Sequence, residues 1–218
     1  VDVLKSVGGQ IEVLHDGRVM DENVCRAAQI ELETGHDLFR DHGFASTSAE
    51  MLVQHLGVSR YILYAEFGSK QGLFDAALQR YDEEVVGRSF GPLEQPGAGL
   101  DEVRALLHFY GSASKGPAVG RGCLLCNTAV EFAAADPSGA GLVQRYFERL
   151  SRAFRSALTN ARDSGEIGSS VDVSAVAESL TATVLGLFVM LRAQAPSGAI
   201  KGAVSVAVRR LESLLSHP

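Results

Sequence analysis

Between Phe44 and Phe74 the chain carries three helix-start signals and one forced turn, a spacing that admits only short helices meeting at sharp angles. Thr47 followed three residues later by Glu50 has the form of a capping box, in which side chains and backbone satisfy orphan donors at a helix start. Met51, Leu52 and Leu56 then recur at helical spacing. Gly57 stands where the chain must reverse, and glycine enters the left-handed region without the steric penalty of a Cβ. Ser59 reads as the N-cap of a second helix through Phe67, and Ser69 as the cap of a third that begins at Lys70. In the second helix Ile62, Leu63 and Phe67 are expected inward, leaving Arg60, Tyr61 and Tyr64 free to face a ligand. A helix, a glycine turn and an exposed second helix make a helix-turn-helix, whose outer helix fits the major groove of double-stranded DNA.

Gly57-Val58-Ser59, Leu63-Tyr64, Phe67, Ser69-Lys70 and Leu73-Phe74, with Leu38-Phe39 and Gly43-Phe44 upstream, resemble the signature of the tetracycline-repressor (TetR) family. The resemblance covers about residues 30–80. It implies an all-α homodimer, with an N-terminal three-helix DNA-binding head and a C-terminal helical body that binds a small-molecule effector. Dimerisation through the last two helices is likewise implied. Residues 1–28 are then an N-terminal extension, 29–90 the helix-turn-helix domain with its linking helix, and 91–218 the ligand-binding and dimerisation domain.

Arg60 and Tyr61 are the candidate readers of base edges, since arginine is the commonest bidentate partner of guanine. Thr47, Ser48, Ser59, Tyr64 and Lys70 are candidate contacts to the DNA backbone. Lys70 opposes the macrodipole at its helix start, a cost that a bound phosphate would offset. The head is nonetheless acidic. Over residues 21–80, Arg26, Arg40, Arg60, Lys70 and Arg80 stand against nine acids, a net charge of −4. Phosphate neutralisation normally supplies most nonspecific affinity, so a shallow salt dependence is expected, with backbone amides and hydroxyls carrying much of the contact.

The whole chain has a formal charge of −6, which argues against a general basic coat but not against a local reading surface. Three cysteines in 218 residues suit a reducing, cytoplasmic setting better than a disulfide scaffold. Cys123 and Cys126 form a C-x-x-C that lacks a second pair or a nearby histidine pair for zinc. Arg121 and a helix start beside Cys123 leave oxidation sensing open, against a plain structural role. No catalytic constellation stands out: Pro117 replaces the lysine a phosphate loop needs, and Ser112-x-x-Lys115 lacks partner motifs. No cofactor is implied.

Beyond a loop at Gly91–Gly99, helices are expected at Leu100–Ser112, Cys123–Ala134, from Asp136-Pro137 to Gly165, from Asp172 to Pro196, and over Ile200–Leu215. Asn127 and Glu131, four apart on the short second of these, are candidate polar members of an effector pocket walled by Phe109, Tyr110, Tyr146, Phe147 and Met190. The other possibility is internal hydrogen bonding to neighbouring helix ends. Small residues Ala177, Ala182, Gly186, Ala203 and Ala207 on the last two helices would allow close approach to a second copy. Val173–Leu191 is the most apolar stretch, yet Glu178 and several hydroxyls make it a buried helix rather than a membrane span. Near the N-terminus, Ile11–Met20 alternates around Asp16-Gly17 in a hairpin-like pattern, although such a segment is marginal by itself and a poorly ordered extension is the plainer expectation.

Overall fold

The computed structural model describes residues 3–7, 10–15, 18–20, 36–132 and 137–216. Of the first helix, expected over about Cys25–His42, the part before His36 with Gly35 lies outside the described residues, as does the expected cap at Asp136. Strands β1 (Val3–Val7), β2 (Gln10–His15) and β3 (Arg18–Met20) pair antiparallel in that order. His15 lies opposite Arg18.

The regular elements described after them are helices, apart from one isolated bridge between Ile167 and Leu215. Residues 36–42 form α1. The helix-turn-helix is α2 (Ala49–Leu56) and α3 (Arg60–Phe67), followed by α4 (Lys70–Tyr81). Gly57 caps α2 in the left-handed region at φ 71°, and its N–H donates to the Val53 carbonyl at 3.0 Å. The α2 cap differs from expectation by one residue. Ser48 is the N-cap, its hydroxyl accepting from the Met51 N–H, because Thr47 turns inward to donate to the Gly43 carbonyl at 2.5 Å.

The linking helix is not uniform. After α4 it widens into one π-helical turn, Asp82–Val86, before resuming as α5 (Gly87–Phe90). The stretch expected as a loop begins with a 3-10 turn, Gly91–Glu94, that buries Leu93. The body comprises α6 (Leu100–Ser112), α7 (Leu124–Phe132), α8 (Pro137–Asp163), α9 (Val173–Arg192) and α10 (Ser197–Glu212). Helix α10 starts earlier than expected, directly after Pro196, whose fixed φ suits the position before a first turn. Asp172 caps α9 by accepting from the Ala175 N–H at 3.0 Å.

Apolar periodicity places the core. Tyr146, Leu150, Phe154 and Leu158 of α8 face Ala177, Leu180, Val184, Leu187 and Leu191 of α9, all buried. Helix α9 is long and apolar enough to cross a membrane by length and composition, but this core is where its inner face is spent. Head and body share one hydrophobic cluster. Phe132 of α7 inserts among the head's aromatics, with ring centroids 5.2 Å from Phe44 and 5.5 Å from Phe74, while Phe39 meets Phe74 at 4.9 Å. Aromatic contacts at these distances add to the gain from area burial.

Candidate nucleic-acid interface and its seam with the body

Helix α3 is held by little and presents much. Leu63 is its one completely buried side chain, with Phe67 half-buried beside it. Tyr61 is 83% exposed and Tyr64 37%. Ile62, expected inward, is 44% exposed, because a helix this short touches the head along a single line through Leu63 and Phe67. The exposed Ser48 and Ser59 hydroxyls accept from Met51 and Ile62 N–H at 3.1 and 3.2 Å, so both helix starts are capped and turned to solvent.

The cations of the head are mostly committed elsewhere. Arg60 is exposed but its guanidinium pairs with Glu50 across the helix-turn-helix. That arginine is the chief influence after backbone hydrogen bonding that holds the Glu50 carboxyl below its ordinary value. Lys70, expected at a phosphate, instead points inward: its ammonium donates to the Phe44 and Thr47 carbonyls at 2.8 and 2.9 Å and lies 4.1 Å from the Phe44 ring centre. Two carbonyl dipoles and a π face offset the macrodipole without an anion. Thr47 is completely buried, so its hydroxyl is likewise no surface contact. Arg40 donates to the Gly122 carbonyl at 2.9 and 2.5 Å, and Arg80 pairs with Glu84.

Arg40 belongs to a polar seam between α1 and the body. Arg192, the last residue of α9, donates to the Arg40 carbonyl at 2.7 Å, the Asp41 carbonyl at 3.0 Å and the Gly120 carbonyl at 3.0 Å. It thereby caps the carbonyl end of α1, where a cation is favoured. Arg121 bonds both Asp41 oxygens and lies 3.2 Å from Asp37. Its hydrogen bond is the main reason the Asp41 carboxyl sits below its usual range, with burial opposing. Farther along, Arg149 of α8 donates to Glu94 at 2.5 and 2.7 Å and to the Asp82 carboxylate at 3.1 Å, holding the π-turn to the body. Sequence reading missed Arg192 and Arg149. Each looks like an ordinary solvated helix cation until its distant partners are known.

Among the described residues, the polar members expected of the effector pocket have partners within the protein. Asn127 donates to the Arg121 carbonyl at 2.8 Å, and Glu131 accepts from the Phe44 and Ala45 N–H groups at 2.9 and 2.7 Å. Both therefore serve the seam, because α7 runs beside the head rather than across a cavity. Phe109 is 56% exposed, Met190 faces the outer side of α9, and Phe147 is half-buried against Tyr146. Tyr110 is buried with its hydroxyl on Ser89 at 3.3 Å. A cavity of about 480 Å³ lies elsewhere, in a groove between α9 and α10 lined by Leu180, Gly186, Met190, Val206 and Ala207. Ala203 also lines it, whereas Ala177 is in the core and Ala182 is exposed.

Tyr146 instead joins the cysteines. Its hydroxyl lies 3.6 Å from Cys123 Sγ and 3.9 Å from Cys126 Sγ, all three groups being buried. Tyr81, at the end of α4, is buried, and its phenol is raised first by that burial and then by the neighbouring Cys123. Burial opposes ionisation of Cys123, but hydrogen bonding with the Cys126 thiol and backbone and with the Tyr146 phenol outweighs it and brings the thiol to about 6. Cys126 is pushed up, first by its hydrogen bond to Cys123 and then by burial. Among the described residues no cluster of metal-ligating side chains occurs.

An exposed, capped helix-turn-helix seated on a larger helical body defines the class, a helix-turn-helix DNA-binding protein. Residues 32–77 match the family model for bacterial regulatory proteins of the tetR family, and residues 99–207 that for the tetracyclin repressor-like C-terminal domain. The uncharacterized HTH-type transcriptional regulator YezE of Bacillus subtilis (strain 168) is 30% identical over 177 residues, 81% of this chain and 91% of that one. The fold also matches a TetR transcriptional regulator from Chloroflexus aurantiacus J-10-FL at TM-score 0.78 and 21% identity, covering 88% and 98% of the two chains. A cysteine-substituted mutant of the TetR family regulator CifR, complexed with 26-base-pair double-strand operator DNA, matches at TM-score 0.72 and 22% identity, covering 83% and 94%. The chain belongs to the TetR family of DNA-binding transcriptional regulators.

Proposed function

We propose that the chain is a cytoplasmic, homodimeric repressor that leaves its operator when a small molecule binds the helical body. The observation that carries this reading is α3, an outward rod with Leu63 alone fully buried and Arg60, Tyr61 and Tyr64 on its open side. Arg60 and Tyr61 read base edges. Ser48, Ser59 and Tyr64 position the phosphate backbone, with helix-start amides doing what few free cations can. Lys70 and Thr47 act one layer back, fixing the turn that aims α3.

The groove between α9 and α10 supports a second copy seated there. It is apolar, floored by Gly186, Ala203 and Ala207, and flanked by the exposed Val189 and Val206. Two heads so joined would meet half-sites about 34–36 Å apart. An effector shifts the equilibrium only by its differential affinity for two arrangements of the head, and the Arg192 and Arg149 contacts are where such arrangements differ. Selection of genomic fragments followed by electrophoretic shifts at two salt concentrations tests the reading. No retained fragment at low salt would refute DNA binding and leave a helical interaction protein. A thiol-based response at Cys123 is the second reading, favoured by the buried Tyr146 phenol that meets both cysteines.

A further inference from the structure

Cys123 and Cys126 lie three residues apart at the start of α7, and the Cys123 carbonyl already accepts the Asn127 N–H at 2.9 Å. In such helical backbone, Cα atoms three residues apart fall inside the roughly 4.4–6.8 Å span a disulfide bridges. Both sulfurs approach one hydroxyl, that of Tyr146. The second phenol, Tyr81, belongs to the linking helix and directly precedes its π-turn. Its ring lies 5.7 Å from the Arg40 guanidinium and 5.6 Å from the His36 ring, both on α1. Cysteines packed merely as small apolar groups would not need one buried phenol shared between both sulfurs. The pair sits where α1, the linking helix and the body meet.

We propose that Cys123 and Cys126 are a dithiol–disulfide switch that is oxidised by small hydroperoxides and reports to the DNA-binding head through Tyr81. The inference rests on the chain being a DNA-binding regulator and names one input to it. The Cys123 thiolate attacks a peroxide oxygen and the O–O bond breaks. Hydroxide leaves and takes up a proton, so that Cys123 is a sulfenic acid and one water has formed. The Cys126 sulfur then gives up its proton and attacks the sulfenic sulfur, the S–O bond breaks, and the second water departs. Two thiols and one hydrogen peroxide become one disulfide and two waters.

The arrangement suits each step. Hydrogen bonding around Cys123 favours its thiolate, and oxidising that sulfur alters the hydrogen bond to Cys123 that is the foremost influence holding the Cys126 proton in place. Burial of both side chains admits a water-sized neutral oxidant during local opening and excludes a bulky disulfide. Once the S–S bond forms, the Tyr146 phenol loses its thiol partners and Tyr81 loses the charge of the neighbouring Cys123. Tyr81 then repacks against Arg40 and His36, and the adjoining π-turn is a place where helical register adjusts at low cost.

The test uses the full chain with Cys25→Ser, leaving only this pair. Hydrogen peroxide should lower the intact mass by ~2 Da, with peptide mapping placing the bond between positions 123 and 126. Affinity for a genomic fragment selected by the reduced protein should fall about tenfold and return with dithiothreitol. Tyr81→Phe should form the disulfide yet lose most of the DNA response. Cys126→Ser should stop at a sulfenic acid that dimedone labels; if that variant does not fold, alkylation counts on the background protein before and after peroxide answer the same question. Thiols that stay titratable in peroxide would overturn the proposal, as would a disulfide that leaves DNA affinity unchanged. Failure of the reduced protein to retain any fragment would instead sink the regulator reading, while the mass change still decides the thiol chemistry.

Discussion

Glu131 stands directly against Gly43: a Cβ at Gly43 would lie 2.8 Å from Glu131 Oε2. The same carboxylate accepts the next two backbone N–H groups, those of Phe44 and Ala45. A body helix thereby closes the turn that leads into the helix-turn-helix, and Gly43, at φ 79°, is the residue that lets it approach.

Glu131→Ala should cost about 1 kcal/mol, since the contact is exposed and partly replaced by water. Gly43→Ala should cost more, about 1–3 kcal/mol, from the positive φ and the displaced carboxylate together. Urea denaturation measures both, and equal midpoints for the two variants would contradict the close approach.

Arg192→Lys should behave as a loss rather than a conservative change. An ammonium cannot reach the Arg40, Asp41 and Gly120 carbonyls that the guanidinium fork serves at once. Hydrogen exchange at the end of α1 should speed up by about tenfold. Unchanged protection there would remove Arg192 from the coupling route.

Arg60→Ala should weaken specific binding by about 1–3 kcal/mol and relax preference at one base position. Glu50→Gln frees the same guanidinium from its ion pair and should raise affinity for random duplex while steepening the salt dependence. A selection of randomised duplexes reads the first effect and anisotropy titrations the second. If Arg60→Ala keeps full base preference, α3 is docked differently.

Stability should fall on mild acidification. Burial lowers the His36 pKa, with Asp37 and Glu84 opposing and Arg40 and Arg121 assisting. The unfolded chain then binds that proton more readily, so stability is complete above the unfolded value of about 6.5 and declines as pH drops through it. Asp41 and Glu94, held low chiefly by hydrogen bonds from Arg121 and Arg149, add a second loss below about pH 4. Asp82, raised by burial, works the other way. Urea midpoints at about pH 7.5 and 5.5 should differ for the parent chain and converge for His36→Gln.

Val206→Glu should yield a monomer that no longer shifts DNA. Val206 is 57% exposed at the groove between α9 and α10, where a buried carboxylate would face a partner's apolar surface. Sedimentation velocity distinguishes the outcomes, and an unaltered dimer would place the interface elsewhere.

Short-range chemistry made much of this molecule legible. Ser59, Gly57 and Ser69 announce helix ends through bonds to residues two to four positions away, and the bounds of α6 follow from its apolar stripe. Cap and turn energies are local, so a linear reading finds them. The cap of α2 was misplaced by one residue because Thr47 and Ser48 both carry the required hydroxyl, and only the Gly43 carbonyl chooses between them.

Helix order, the helix-turn-helix and family membership were thus determined by residue order alone. Which polar side chains remain free was decided by tertiary packing. Lys70 reaches back to Phe44, Glu131 and Asn127 reach the head, and Arg192 crosses from α9 to Arg40. A buried or half-buried charge takes whichever carbonyl or amide the fold brings within hydrogen-bonding distance, and proximity across the fold leaves no periodic trace along the chain.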